Sequence, residues 1–173
     1  MKTIEKNKDK LFTDIWNRLV INRICSKVKE LTPSISRHTN IEIYESLYQG
    51  IGLNNNISIY CEYASHELPI KLYLEITTDY NHGINLFIVD FNLPISMRGQ
   101  GTGTRIICEL FEVANRIGAK KITLNPTNKR ARNFWSRFGF SEINSNYAME
   151  LSSSDYAFKC SKMLYANAEK LTA

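Results

Sequence analysis

Pro94-Ile95-Ser96-Met97-Arg98-Gly99-Gln100-Gly101-Thr102-Gly103-Thr104 is the stretch on which the reading of this chain turns. It stands between the apolar run Ile84-Asn-Leu-Phe-Ile-Val-Asp-Phe-Asn-Leu93 and a segment in which Ile106, Ile107, Leu110, Phe111, Ala114 and Ile117 recur at three- and four-residue steps. The first pattern is a strand, apolar on both faces and therefore central in a sheet. The second is a helix from about Gly101 to Ile117, stopped by Gly118. Three glycines at the junction let the backbone approach a ligand closely. The free amides of a helix N-terminus, with Arg98 beside them, make an anion site, and phosphate is the expected guest. A bare glycine-rich turn is the alternative. No G-x-x-x-x-G-K-[ST] occurs, and glycines at 99, 101 and 103 miss the G-x-G-x-x-G spacing, so two rival phosphate loops are set aside.

Toward the N-terminus, Leu11, Phe12, Ile15, Trp16, Leu19, Val20, Ile24, Val28 and Leu31 predict an amphipathic helix ended by Thr32-Pro33. Four strand-like runs follow, Ile41 to Tyr48, Ile57 to Tyr63, Ile70 to Thr77 and Ile84 to Leu93, with short connections that favour an antiparallel meander. Ile57, Ile59, Cys61 and Tyr63 share one face of the second run, and Leu72, Leu74 and Ile76 share one face of the third. Beyond Gly118, Lys121 to Leu124 reads as a short strand, Thr127 to Phe138 as a helix, Tyr147 to Leu151 as a last strand and Ser154 to Leu171 as a final helix.

The 173 residues suit a single domain, 1–173, and the 43% hydrophobic and 23% charged fractions are those of a packed soluble fold. No apolar stretch is long enough to span a membrane, and MKTIEKNKDK carries charges where a signal peptide needs its apolar core, so a cytoplasmic protein with no membrane partner is expected. Cys25, Cys61, Cys108 and Cys160 form no C-x-x-C pair, which predicts neither zinc nor structural disulfides. The net charge of +5 is unevenly spread: residues 31–97 hold 2 basic and 7 acidic side chains, residues 98–137 hold 9 and 2. The basic segment suits phosphate or nucleic acid, and the acidic one a cationic substrate; a solvated surface is the plain alternative for both.

Arg98-Gly99-Gln100-Gly101-Thr102-Gly103, between strand and helix, resembles the R-x-x-G-x-G signature of the GNAT superfamily of acyl-CoA-dependent N-acyltransferases. Asn128-Lys-Arg-Ala131-Arg-Asn-Phe134-Trp135-Ser-Arg-Phe138-Gly139-Phe140 resembles its N-x-x-A-x-x-F-Y-x-x-x-G-F pattern, and the motif-bearing part spans about 84–151. The resemblance implies an α/β (α+β) fold: a mixed, mostly antiparallel central sheet flanked by helices, with added N-terminal and C-terminal helices. It implies that amides of Arg98, Gly99, Gln100, Gly101, Thr102, Gly103 and Thr104 hold the pyrophosphate of acetyl-CoA. It further implies that the pantetheine arm runs beside Phe91, Asn92 and Leu93 and touches Asn128, whose alternative role is a helix N-cap. Lys129, Arg130, Arg132 and Arg137 meet the 3′-phosphate or form a solvated face, while Phe134, Phe138 and Phe140 suit the core. Trp135 stands where family members often carry a tyrosine acid, and indole cannot protonate a thiolate, which leaves Tyr147, another tyrosine or water.

Transfer to an amine needs a base. Asp90 alternates with Leu86 and Ile88 on one face of the central strand, where burial would raise its pKa; Glu75 on the preceding strand is the second candidate, and the alternative for each is a surface or hydrogen-bonded structural acid. His38, His66 and His82 fall in turn-like, surface segments. The expected function is an N-acetyltransferase moving acetyl from acetyl-CoA to a primary amine: a small amine, a protein amine or aminoacyl-tRNA. The competing class is a non-catalytic module on the same fold that binds CoA, a partner or nucleic acid. Nucleic acid is the lesser expectation, because no helix joins a basic face to aromatic stacking positions. A homodimer is compatible with the sequence.

Overall fold

The computed structural model describes residues 18–51, 57–79, 83–143 and 148–155. Helix α1 occupies 18–28 of these, and α2 is Leu31–Thr39. The chain therefore turns at Lys29-Glu30, and Thr32-Pro33 opens the second helix where the sequence reading had them end the first. Proline is tolerated there because first-turn amides have no intrahelical acceptor. Helix α2 closes on Asn40, whose left-handed φ of 55° lets its amide donate to the Ser36 carbonyl at 2.8 Å. His38 lies inside α2, not in a turn, and its side chain is only 17% exposed, 3.5 Å from Glu109.

Strands β1 (Tyr44–Ile51), β2 (Ile57–Ala64), β3 (Lys71–Asp79) and β4 (Gly83–Asn92) form the expected antiparallel meander. Helix α3 (Thr102–Ile117) carries the chain back so that β5 (Ala119–Leu124) lies parallel to β4. Helix α4 (Lys129–Arg137) leads to β6 (Ser141–Ile143) and β7 (Ala148–Ser152), which completes the sheet order β1-β2-β3-β4-β5-β7-β6. The fourth strand is central, as its apolar run requires. Strand β6 is too short to leave a pattern in the sequence. The expected final helix and Tyr147 lie outside the described residues, as do residues 11–17 of the first helix, His82 and Cys160.

The two faces of the sheet differ in chemistry because each hairpin fixes its register. One face buries Ile59, Cys61, Tyr63, Leu72, Leu74, Ile76, Leu86, Ile88, Ile122 and Leu124 in a single core with Ile24, Val28 and Ile35 of α1 and α2 and Ile107, Leu110 and Phe111 of α3. The other carries Tyr48, Tyr60, Glu62, Tyr73, Glu75, Phe87 and Asp90, all partly or fully exposed. Cys25, Cys61 and Cys108 are free thiols. Burial pushes Cys61 well above its ordinary value, which keeps it an unreactive thiol. Among the described residues, no group of histidine, cysteine and carboxylate side chains is placed to hold a metal, and no helix is long and apolar enough to cross a membrane.

A buried hydrogen bond ties the helical layer to the sheet. The hydroxyl of Tyr63, 1% exposed, donates to the carbonyl of Val28 at 2.7 Å and satisfies an end of α1 that has no intrahelical donor. Tyr63→Phe leaves that carbonyl buried and unpaired, at a cost of about 1–3 kcal/mol. In a thermal melt each kcal/mol lowers Tm by about 2–4 °C for a chain of this size. A Tm equal to that of the parent protein would show the bond to be dispensable.

Candidate active site

Two features of β4 create the site. Pairing with β3 continues to Lys71↔Asn92, whereas pairing with β5 stops at Ile88↔Leu124. From Val89 onward the two parallel strands part. At the same place the β3 register steps from Leu74↔Ile88 to Tyr73↔Asp90, so Val89 is an extra residue, a β-bulge. A bulge inverts the alternation that follows it. Phe91 now points into the helical layer, with its ring 6.1 Å from Phe134 and 5.9 Å from Trp135.

Asp90 moves to the opposite face. The sequence reading put it with Leu86 and Ile88 in a buried position; instead its side chain is 49% exposed and 4.0 Å from the Lys71 ammonium. The burial expected of it is absent, because the bulge at Val89 turns it to the open face. Glu75 is on that same open face, half-buried and accepting a hydrogen bond from the Ser58 hydroxyl at 3.2 Å.

The strand ends in a single 3₁₀ turn, Ile95–Met97, and then in the glycine loop. Gly99 and Gly101 have φ of 82° and 79°, values that side chains with a Cβ rarely adopt. Gly101 is the N-cap of α3, with no side-chain cap and no acidic residue in the first turn, so the first-turn amides are left without a covering group. Gly103 lies where a Cβ would stand 3.3 Å from Leu93 and 3.6 Å from Phe134. Together these segments border a cleft of about 730 Å³. Phe91, Asn92, Leu93, Arg98, Gly99, Gly101, Gly103, Thr104 and Asn128 line it, which brings together most of the expected binding residues. Gln100 and Thr102 belong to the same turn but do not line the cleft, and neither Asp90 nor Glu75 does.

Arg98 serves the site differently from the expectation of an anion ligand. Its Nε donates to the Leu93 carbonyl at 2.7 Å and one Nη to Asn92 Oδ1 at 3.0 Å, while Asn92 Nδ2 donates to the Pro69 carbonyl at 2.8 Å. The guanidinium therefore staples the glycine loop to the end of β4 and, through Asn92, to the β2–β3 connection. Cationic reach toward an anion comes instead from Arg130 and Arg137, which line the cleft on α4; Arg132 pairs with Glu142 at 3.2 Å.

Asn128 is the N-cap of α4: its Oδ1 accepts from the Ala131 amide at 2.9 Å. That role coexists with its place in the cleft wall. Phe138 and Phe140 are core, as expected, and Trp135 is only 6% exposed, packed edge-on against Phe134 and Phe140. No tyrosine among the described residues lines the cleft. Met97, Thr127, Ala131 and Asn133 also line it; helical phase from Asn128 reaches Ala131, three residues on, but not Asn133, five residues on.

Residues 62–140 match the model of the acetyltransferase (GNAT) family. No curated protein matches the chain at a significant level. Among solved structures, AtaTR bound with acetyl-CoA is similar at 14% identity and TM-score 0.44, over 64% of this chain and 72% of that one. The KacTA–DNA complex is similar at 14% identity and TM-score 0.40, over 65% and 74%.

Two substitutions test the loop. Gly101→Val forces a branched residue into the left-handed region beside the anion-facing amides, a strain of about 1–3 kcal/mol. Calorimetry should show CoA binding lost while circular dichroism shows the fold retained; unaltered affinity would reduce the loop to a turn. Arg98→Lys keeps the charge but not the forked donor geometry. It should weaken CoA binding as much as Arg98→Ala does, with the salt dependence of the remaining binding unchanged. Rescue by lysine would restore Arg98 as a simple electrostatic ligand.

Proposed function

Since residues 62–140 match the model of the acetyltransferase (GNAT) family, we propose that this chain transfers the acetyl group of acetyl-CoA to a primary amine, with the cleft between β4 and α4 as the acetyl-CoA site. One observation carries this reading. The uncapped N-terminus of α3, reached through Gly99 and Gly101, opens on the same cleft as the unpaired end of β4. An elongated ligand with a pyrophosphate at one end and amide groups along its length finds both partners there. The first-turn amides take the pyrophosphate. Arg130 and Arg137 add positive charge around it, and Phe91, Phe134 and Trp135 form the apolar wall for the arm.

The pairing of β4 with β5 ends at Ile88, and just beyond it Asp90 projects from the bulge on the open face of the sheet. We assign Asp90 the proton of the attacking amine. The amine nitrogen bonds to the acyl carbon, the carbon–sulfur bond breaks, Asp90 takes the proton and passes it to solvent, and water protonates the departing thiolate. Water is given that last role because Trp135 has no acidic proton and no described tyrosine borders the cleft. The acceptor is cationic, in keeping with the acidic 31–97 segment. The chain acts in solution, in the cytoplasm.

Titration with acetyl-CoA should raise Tm measurably, since a ligand at 100 times its Kd adds about 2.7 kcal/mol. No stabilisation at millimolar acetyl-CoA would overturn the reading. Asp90→Asn should lower kcat roughly 10²-fold, the lower end for general-base assistance because the carboxylate is exposed, with acetyl-CoA affinity kept. Wild-type turnover in that variant would return the proton to water.

A further inference from the structure

The face of the sheet away from the helices has its own organisation, which the acetyl-CoA site does not use. Tyr48 on β1 and Tyr60 on β2 stack with ring centroids 4.8 Å apart and planes 14° apart, and Tyr60 and Tyr73 on β3 follow at 6.5 Å. The hydroxyls of Tyr48 and Tyr73 are hydrogen-bonded at 2.5 Å, which closes the three rings into one platform. Lys71 lies at its edge, with its ammonium 5.6 Å from the Tyr73 ring centroid, 3.4 Å from Glu62 and 4.0 Å from Asp90. This face thus already seats one ammonium on an aromatic ring between carboxylates.

A second carboxylate on this face, with an aromatic residue in register on each adjoining strand, has no such occupant. Glu75 stands in register between Tyr60 on β2 and Phe87 on β4, half-buried, and among the described residues no cation pairs with it. A carboxylate flanked by two aromatic rings selects an ammonium over a neutral or anionic group. The position also sets a reach. Phe87, opposite Glu75, is three residues before Asp90, so roughly 7–10 Å of strand separate the two at about 3.3 Å per residue. An amine held by Glu75 is too far from Asp90 to give up its proton there itself. Its partner amine, at the other end of an aliphatic chain, is not.

Resting on the acetyltransferase reading above, we propose that this face is the acceptor site and that the acceptor is an extended aliphatic polyamine. Glu75 holds one ammonium between Tyr60 and Phe87, and the methylenes lie along the sheet. A second amine is presented to the parted strands at Asp90. A nucleic-acid acceptor meets carboxylates at each of these positions, and a lysine side chain supplies only one of the two cations.

The test uses the full chain, acetyl-CoA and three probe amines: spermidine, butylamine and a short peptide with one lysine and a blocked N-terminus. Acetylated product is counted by chromatography. Spermidine should be acetylated with the highest kcat/KM. Glu75→Gln and Tyr60→Leu should each raise the KM for spermidine about tenfold or more, with the calorimetric affinity for acetyl-CoA unchanged. The proposal is overturned if the protein binds acetyl-CoA yet leaves spermidine unmodified, if the peptide is the better acceptor, or if both variants keep the parent KM. Absence of acetyl-CoA binding is a different failure: it removes the acetyltransferase reading first and this proposal with it.

Discussion

The separation of β4 from β5 after the Ile88–Leu124 pair is the constraint from which the rest of the site follows. Two parallel strands that stay paired offer no backbone groups to a ligand and no way through the sheet. Here β4 keeps its other neighbour as far as Asn92, so the parted end is held rigid on one side and open on the other. The Val89 bulge then places Phe91 on the helical side, where it packs with Phe134 and Trp135, and Asp90 on the exposed side. One inserted residue therefore gives the opening an apolar wall on one face and a carboxylate on the other.

Arg98 keeps this geometry in place. By bonding Leu93 and Asn92, it fixes the glycine loop to the strand end, and Asn92 extends the tie to Pro69. The loop's amides can then remain uncovered without the loop collapsing into the cleft. The charge division seen in the sequence acquires a spatial meaning. Basic side chains of the 98–137 segment, Arg130 and Arg137, border the cleft beside the α3 N-terminus, and acidic ones of 31–97, Glu62, Glu75 and Asp90, lie across the sheet. Opposite charges on opposite faces suit a reaction that joins an anionic donor to a cationic acceptor.

What the sequence disclosed and what it concealed divide along physical lines. The glycine loop, the α3 and α4 caps and the meander were legible because glycine φ freedom, Asn128 capping and two-residue alternation act over a few residues. The side on which Asp90 falls was not, since Ile88-Val89-Asp90-Phe91 reads as uninterrupted strand and the bulge is decided by pairing with Tyr73 and Leu74. Thr32-Pro33 was read as a stop because proline signals both an end and a beginning of helix, and only packing of α2 tells them apart. The tyrosine platform was hidden for a related reason. Tyr48, Tyr60 and Tyr73 are on three strands, and nothing local in any one of them announces that the hairpin registers will stack their rings.

The central claim is that the α3 N-terminus and the parted end of β4 belong to one ligand site. Amide NMR of isotope-labelled protein, titrated with CoA, tests it most directly. The account predicts saturable shifts in the amides of Gly99 to Thr104 together with those of Phe91 to Leu93, following a single Kd, while the amides of Tyr48 and Tyr60 stay in place. Shifts confined to exposed arginine-bearing segments, or two groups that titrate with different affinities, would contradict it.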